Sequence, residues 1–267
     1  MNMRHNYSNP IYEFSIDSRE CAIDLKINDL PCFSSYEHGG VALDWPVNAN
    51  LLSSGKQFYS LSILPYVDED FINKKAIVKG KISVRDALDY SKPRILISDI
   101  SIPDFSKDKD SRKEFRIIGE FDADVPYDHE GWKKSVDLIN ENKKVLFNEI
   151  HNFYNELYNI FKTNNIDKYK SFTDLRFNEL CDSFYLSEAQ MKRREVSFIP
   201  KFKGTIQQVP IENYQIIFLG GGKLVAIRIP NEPIGLKFIS DDETESVIYE
   251  QAIFHRKNIG DALTLIR

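Results

Sequence analysis

The chain has 267 residues, a net charge of −5 at pH 7, 42% hydrophobic residues and 28% charged residues. That balance is that of a globular chain with a core to bury, not a disordered one, and no run approaches the roughly 20 apolar residues of a membrane span. The acidic total, with only Lys192, Arg193 and Arg194 as a basic cluster, excludes the basic stripe that nucleic-acid binders present.

The N-terminal "MNMRHNYSNPIYEF" lacks the apolar stretch of a secretory leader, so a cytoplasmic protein is expected. From about Ile11 to Ala123 the chain reads as short strands separated by turns. "CAIDLKINDLPCF" alternates Ile23, Leu25 and Ile27 against polar residues and turns at Asn28-Asp29. "KQFYSLSILP" sets Tyr59, Leu61 and Ile63 on one face, and "KAIVKGKISV" does the same for Ala76, Val78, Gly80, Ile82 and Val84. "RILISDISI" and "KEFRIIGEF" continue the series, while "PVNANLLSSG" predicts a loop that tucks Leu51 and Leu52 under a sheet. Strands at this spacing without helical patterns between them predict an antiparallel β-sandwich over 1–128.

The apolar period changes at Gly131. Trp132, Val136, Ile139, Leu146, Ile150, Tyr154, Leu157 and Phe161 recur at three- and four-residue steps, which predicts an amphipathic helix of about 30 residues closed by "KTNN". Its start is expected to mark the domain boundary. Two shorter helices follow, the second opened by a capping box of Ser187 and Gln190. Strands return at 213–219, 223–229, 234–239, 247–256 and 262–266, as an antiparallel meander. The fold class is therefore α+β, with a helix-plus-curved-antiparallel-sheet domain over 129–267.

"NYQIIFLGGGKLVAIRIP" is the most motif-like stretch. A phosphate-binding loop would need glycine at 217 and Ser/Thr at 224, where Ile217 and Leu224 stand. Strand patterns on both sides make the glycines a hairpin turn, because glycine adopts positive φ without a Cβ penalty.

Cys21, Cys32 and Cys181 lack C-x-x-C spacing, and the five histidines are dispersed, so neither a metal site nor a cofactor is expected. His151 has Asn155 at i+4, which excludes a helical two-histidine zinc motif. "FDADVPYDHE" places Asp122, Asp124 and Asp128 near His129 without the calcium-loop spacing; a linker leading into a helix N-terminus accounts for them. His255 and Arg256 are candidates for lining a pocket, with strand pairing as the plainer reading.

The hairpin "YQIIFLGGGKLVAIRI", the acidic "DDETE" and the closing "AIFHRKNIGDALTLIR" resemble bacterial immunity proteins of the type VI secretion and polymorphic-toxin type. The order of a long helix, two short ones and a curved sheet resembles nuclear-transport-factor-2-like domains. The first resemblance implies a non-catalytic protein that binds a cognate toxin one-to-one. Asp122, Asp124, Asp241, Asp242, Glu243 and Glu245 are then expected on its contact loops, since an acidic surface speeds capture of a basic partner. A small-molecule-binding protein or enzyme with a C-terminal pocket, and a carbohydrate-binding or structural β-sandwich module, are the alternatives.

Overall fold

The computed structural model describes residues 6–197, 205–230, 232–241 and 247–267. The chain divides into two compact units: Met1–His129 with Asp182–Tyr185, and Glu130–Cys181 with Leu186–Arg267. It is a mixed α+β protein whose sheets are antiparallel. Among the described residues no helix is long and apolar enough to cross a membrane.

The first unit holds β1 (Pro10–Arg19), β2 (Ala22–Ile27), β3 (Leu30–Ser35), β4 (Val41–Pro46), β5 (Ser53–Leu64), β6 (Ile77–Asp86), β7 (Ile95–Ile100) and β8 (Phe115–Asp128). They form two four-stranded sheets, ordered β4-β1-β6-β7 and β3-β2-β5-β8. Period-two alternation explains why both sheets feed one apolar cluster. Phe14 and Ile16 of β1, Ile82 and Val84 of β6, Ile23 and Leu25 of β2, and Leu61 of β5 all lie in it. The β2–β3 connection is Asn28-Asp29, with φ of 52° and 65°; these residue types tolerate the left-handed region that a two-residue hairpin requires. Leu51 and Leu52 are buried as expected. Beside them Asn48, also buried, accepts from Tyr12 N–H at 2.8 Å and donates to the Pro10 carbonyl at 2.9 Å, which satisfies its amide away from water.

Asp86 ends β6 and is buried. Its carboxylate accepts from Leu88 N–H at 3.0 Å, Asp89 N–H at 3.2 Å and the Lys92 ammonium at 3.0 Å. Burial opposes its ionisation, but these donors outweigh it and hold the carboxyl down to about 2 against an ordinary 3.8. A depressed carboxyl stabilises the fold above its unfolded value and loses that contribution as pH falls through the folded value. Wild-type stability is therefore expected to drop between about pH 4 and 2 partly through Asp86. Asp86→Asn should cost about 2 kcal/mol at pH 7 and flatten this acid limb in denaturant titrations. An unchanged acid limb would contradict the assignment.

The second unit holds α1 (Lys143–Thr163), α2 (Ile166–Ser183), α3 (Glu188–Ser197), β9 (Ile206–Gln208), β10 (Gln215–Leu219), β11 (Leu224–Arg228), β12 (Leu236–Ser240), β13 (Val247–Glu250), β14 (Ile253–His255) and β15 (Thr264–Leu265). Leu146, Ile150, Tyr154, Leu157 and Phe161 of α1 are buried in a cluster with Val225, Ile227, Phe238 and Phe254 of the strands. Asn164, at φ 51°, closes α1 in the left-handed conformation. Ser187 and Gln190 form the capping box of α3: Gln190 Oε1 accepts from Ser187 N–H at 2.9 Å, and Ser187 Oγ accepts from Gln190 N–H at 3.4 Å.

Three expectations need correction. The long helix begins at the Asn142 cap, whose side chain accepts from Lys144 N–H at 2.9 Å, and not near Gly131. Upstream, Val136 N–H is spent on the Arg256 carbonyl and Leu138 N–H on the Gly222 carbonyl, so the segment is strapped to the strands rather than coiled. Trp132 and Leu138 are buried there without a helix, and Ile139 is exposed. The strand expected over 247–256 breaks at Gln251-Ala252, because β13 pairs with β12 while β14 pairs with β11. The expected single meander is accordingly two small sheets, ordered β10-β11-β14-β15 and β13-β12-β9. The glycine hairpin is present as β10–β11, and its three-glycine connection runs through positive φ at Gly220, Gly221 and Gly222, with values of 57°, 66° and 93°. A Cβ on Gly222 would lie 2.8 Å from Asp137 Oδ1, so the third glycine also permits close packing.

Candidate interaction face and cleft

Asp122 and Asp124 do not lie on a linker into a helix. They are exposed positions of β8, whose neighbours Phe121, Ala123 and Val125 turn inward. The alternation of that segment outranks its acidity, since each inward residue buries apolar area. Pro126 fits the same strand because β8 lies at the sheet edge, where a missing N–H is tolerated.

Cross-strand register fixes what surrounds these two aspartates. Lys56 of β5 faces Asp122, Phe58 faces Glu120, and Ser60 faces Ile118. Phe58 is 52% exposed and Ile118 73% exposed, and as diagonal cross-strand neighbours they lie within reach of one another. The outer row of β8 thus runs Ile118, Glu120, Asp122, Asp124. Lys56 answers Glu120 with an ion pair, and Asp124 accepts from Ser54 Oγ at 3.3 Å.

The backbone beneath this face is held firmly. Asn28 donates its N–H to the Phe58 carbonyl at 2.8 Å, and its side-chain oxygen accepts from Phe58 N–H at 3.0 Å. The hairpin turn that gives β2–β3 its register therefore also places Phe58. On β8, Asp124 N–H donates to the Tyr12 hydroxyl at 2.7 Å and Val125 N–H to Ser54 Oγ at 2.8 Å. Gly119, opposite Tyr59, has no room for a side chain: a Cβ would lie 2.3 Å from the Tyr59 hydroxyl. Burial pushes the Tyr12 hydroxyl up to about 12, so it stays protonated and available to the strand edge.

The other predicted residues are dispersed. Asp241 is an exposed residue just past β12, its carboxylate accepting from Thr205 N–H. Asp242, Glu243 and Glu245 lie outside the described residues. Among the described residues the exposed aromatics of the strands, Trp45 and Phe58, belong to different sheets. Desolvation pushes the Cys21 thiol up to about 11 and Cys32 up to about 12, so neither is a thiolate at neutral pH. Among the described residues no group of three or more His, Cys, Asp or Glu side chains is placed to hold a metal ion.

His255 and Arg256 are neighbours with different surroundings. Arg256 is buried in an ion-pair network with Glu141 and Glu149. His255 is also buried, and lines a cleft of about 410 Å³ in the second unit. Phe153 of α1, Phe172 and Leu175 of α2, and Leu265 of β15 supply its apolar walls. Ser135 Oγ and His255 Nδ1 are 2.7 Å apart. Burial and then the Lys257 charge lower the His255 pKa from an ordinary 6.5, with Glu179 and Glu130 opposing, so the ring is neutral at pH 7.

Sequence patterns singled out His255 but not Ser135, 120 residues away, nor the α2 wall. Phe172 and Leu175 carry a helical spacing that any buried face would share. Comparison of the chain with protein-family models, with curated proteins and with solved structures gave no significant match.

Proposed function

We propose that the protein is a non-catalytic immunity protein that binds a cognate bacterial toxin one-to-one in the cytoplasm and neutralises it, using the outer face of β5 and β8. The observation that carries this reading is the exposed pair Phe58 and Ile118 on that face, bordered by Glu120, Asp122 and Asp124. An apolar centre with a charged rim is the anatomy of a protein interface. Its acidic row also favours a basic partner through faster encounter. In this reading the first unit is a β-sandwich, supported by two sheets that share one core. The second unit is read as a nuclear-transport-factor-2-like domain, supported by α1 packing its apolar stripe on the strands.

The face makes a specific prediction. Phe58→Ala with Ile118→Ala removes exposed apolar area only, so the fold is expected to persist, and affinity for the captured partner should fall by about 30-fold or more. Asp122→Lys with Asp124→Lys should slow association, most at low salt. Calorimetry and stopped-flow measurements on the purified pair read the two effects separately. Unchanged affinity in the first variant would remove this face from the interface.

A further inference from the structure

The cleft in the second unit has a chemistry of its own. Among the described residues Ser135 Oγ has no partner other than His255 Nδ1. Were the ring to donate from Nδ1, the Ser135 hydroxyl proton would be buried without an acceptor, which is costly. The serine therefore donates to Nδ1, and the neutral ring carries its proton on Nε2. His255 lines the cleft and its Nδ1 is engaged, so Nε2–H is the donor left for a ligand.

The charges around this donor are nearly balanced. Glu179 lines the cleft but is neutralised, its Oε2 accepting from Arg267 at 2.6 Å and its Oε1 from Gly131 N–H at 3.1 Å. Among the described residues Lys257 has only a loose pairing at 3.7 Å with Glu130, and both side chains are more than half exposed. The ammonium is therefore easily recruited by another anion. Two donors, one of them cationic, thus serve a cavity whose walls are aromatic and aliphatic, and whose size falls in the range of small-molecule sites.

We propose that this cleft binds a small carboxylic acid with an apolar body, its carboxylate taking a hydrogen bond from His255 Nε2–H and charge from Lys257. Phe153, Phe172, Leu175 and Leu265 cover the apolar part. The site belongs to the second unit alone, so it stands whether or not the β5–β8 face binds a protein.

Calorimetric titration of the full chain with decanoate tests the proposal, with decylammonium as the probe whose head cannot accept a hydrogen bond. One saturating decanoate per chain is expected, with decylammonium at least tenfold weaker. Leu175 is 50% exposed, so Leu175→Trp should fill the cleft without unfolding the chain, and should weaken decanoate at least tenfold. His255→Gln, which keeps an N–H donor, should bind within about threefold of wild type, whereas His255→Leu should lose at least tenfold. Equal or tighter binding of decylammonium would make Glu130 the anchor and overturn the proposal. Absence of saturable decanoate binding, or indifference to Leu175→Trp in a chain with unchanged melting, would overturn it as well.

Discussion

Arg256→Leu is expected to destabilise the second unit by about 3 kcal/mol, the low end for breaking a buried ion pair because both carboxylates keep some contact with water. The Arg256 side chain is 7% exposed, against 28% for Glu141 and 26% for Glu149. Its guanidinium donates to Glu141 at 2.9 and 2.8 Å and to Glu149 at 3.3 and 2.9 Å, and also to the Asp261 carbonyl. Glu149 in turn accepts from Leu263 N–H at 2.9 Å. One side chain thereby joins the segment before α1, α1 itself, the end of β14 and the C-terminal loop. Removing it leaves two carboxylates facing each other with their main donor gone. Arg256→Lys should recover little, since a single ammonium cannot replace a planar fork of donors.

The pH dependence separates this account from a simple packing loss. Burial alone would raise the Glu149 carboxyl, but Arg256 and Leu263 N–H hold it below the ordinary 4.5. A depressed carboxyl contributes stability above its unfolded value and loses it as pH falls through the folded value. The gap between wild type and Arg256→Leu should thus be full at pH 7 and close below about pH 4. Denaturant midpoints measured from pH 7 to pH 3 read it directly, and a gap independent of pH would contradict the electrostatic origin.

Phe238→Ala is expected to cost about 3–5 kcal/mol. Phe238 is fully buried on β12, edge-on to Tyr154 at 5.0 Å and Phe161 at 4.9 Å between ring centroids. Both partners come from the buried stripe of α1, so the ring is where helix and sheet lock together. Truncation leaves a cavity flanked by two aromatics that backbone on either side prevents from collapsing. Tyr154 is itself fixed, donating its hydroxyl to the Lys237 carbonyl. Phe238→Leu keeps most of the volume and should cost about 1.5 kcal/mol or less. A Phe238→Ala variant within about 1 kcal/mol of wild type in urea unfolding would contradict this packing account.

Features with a local physical cause were legible in the sequence. Asn28-Asp29 marks its turn because two adjacent residues must take positive φ. Ser187 and Gln190 mark a helix start because each side chain satisfies the other's backbone. Alternation over Val78–Val84 and the stripe from Leu146 to Phe161 report burial, and burial is what the structure shows there. Apolar spacing is what misled the reading upstream of Asn142. Of the apolar positions read as its first turns only Trp132 is buried, while Ile139 is exposed, and the segment bonds to Gly222 and Arg256 across the unit; such partners leave no local trace. Acidity misled the reading of Asp122 and Asp124 in the same way, since the inward Phe121, Ala123 and Val125 decide the conformation. The pairing of Ser135 with His255 depends on tertiary contact alone and has no spacing to find.

The most direct test of the proposed function is capture of the tagged chain's stoichiometric partner from its native cells, followed by growth of cells expressing that partner alone, with wild type, or with the Phe58→Ala, Ile118→Ala variant. The account predicts a single partner that arrests growth alone, is silenced by wild type, and escapes the variant. A partner silenced equally by both proteins would contradict the assigned face, and a partner harmless on its own would contradict neutralisation.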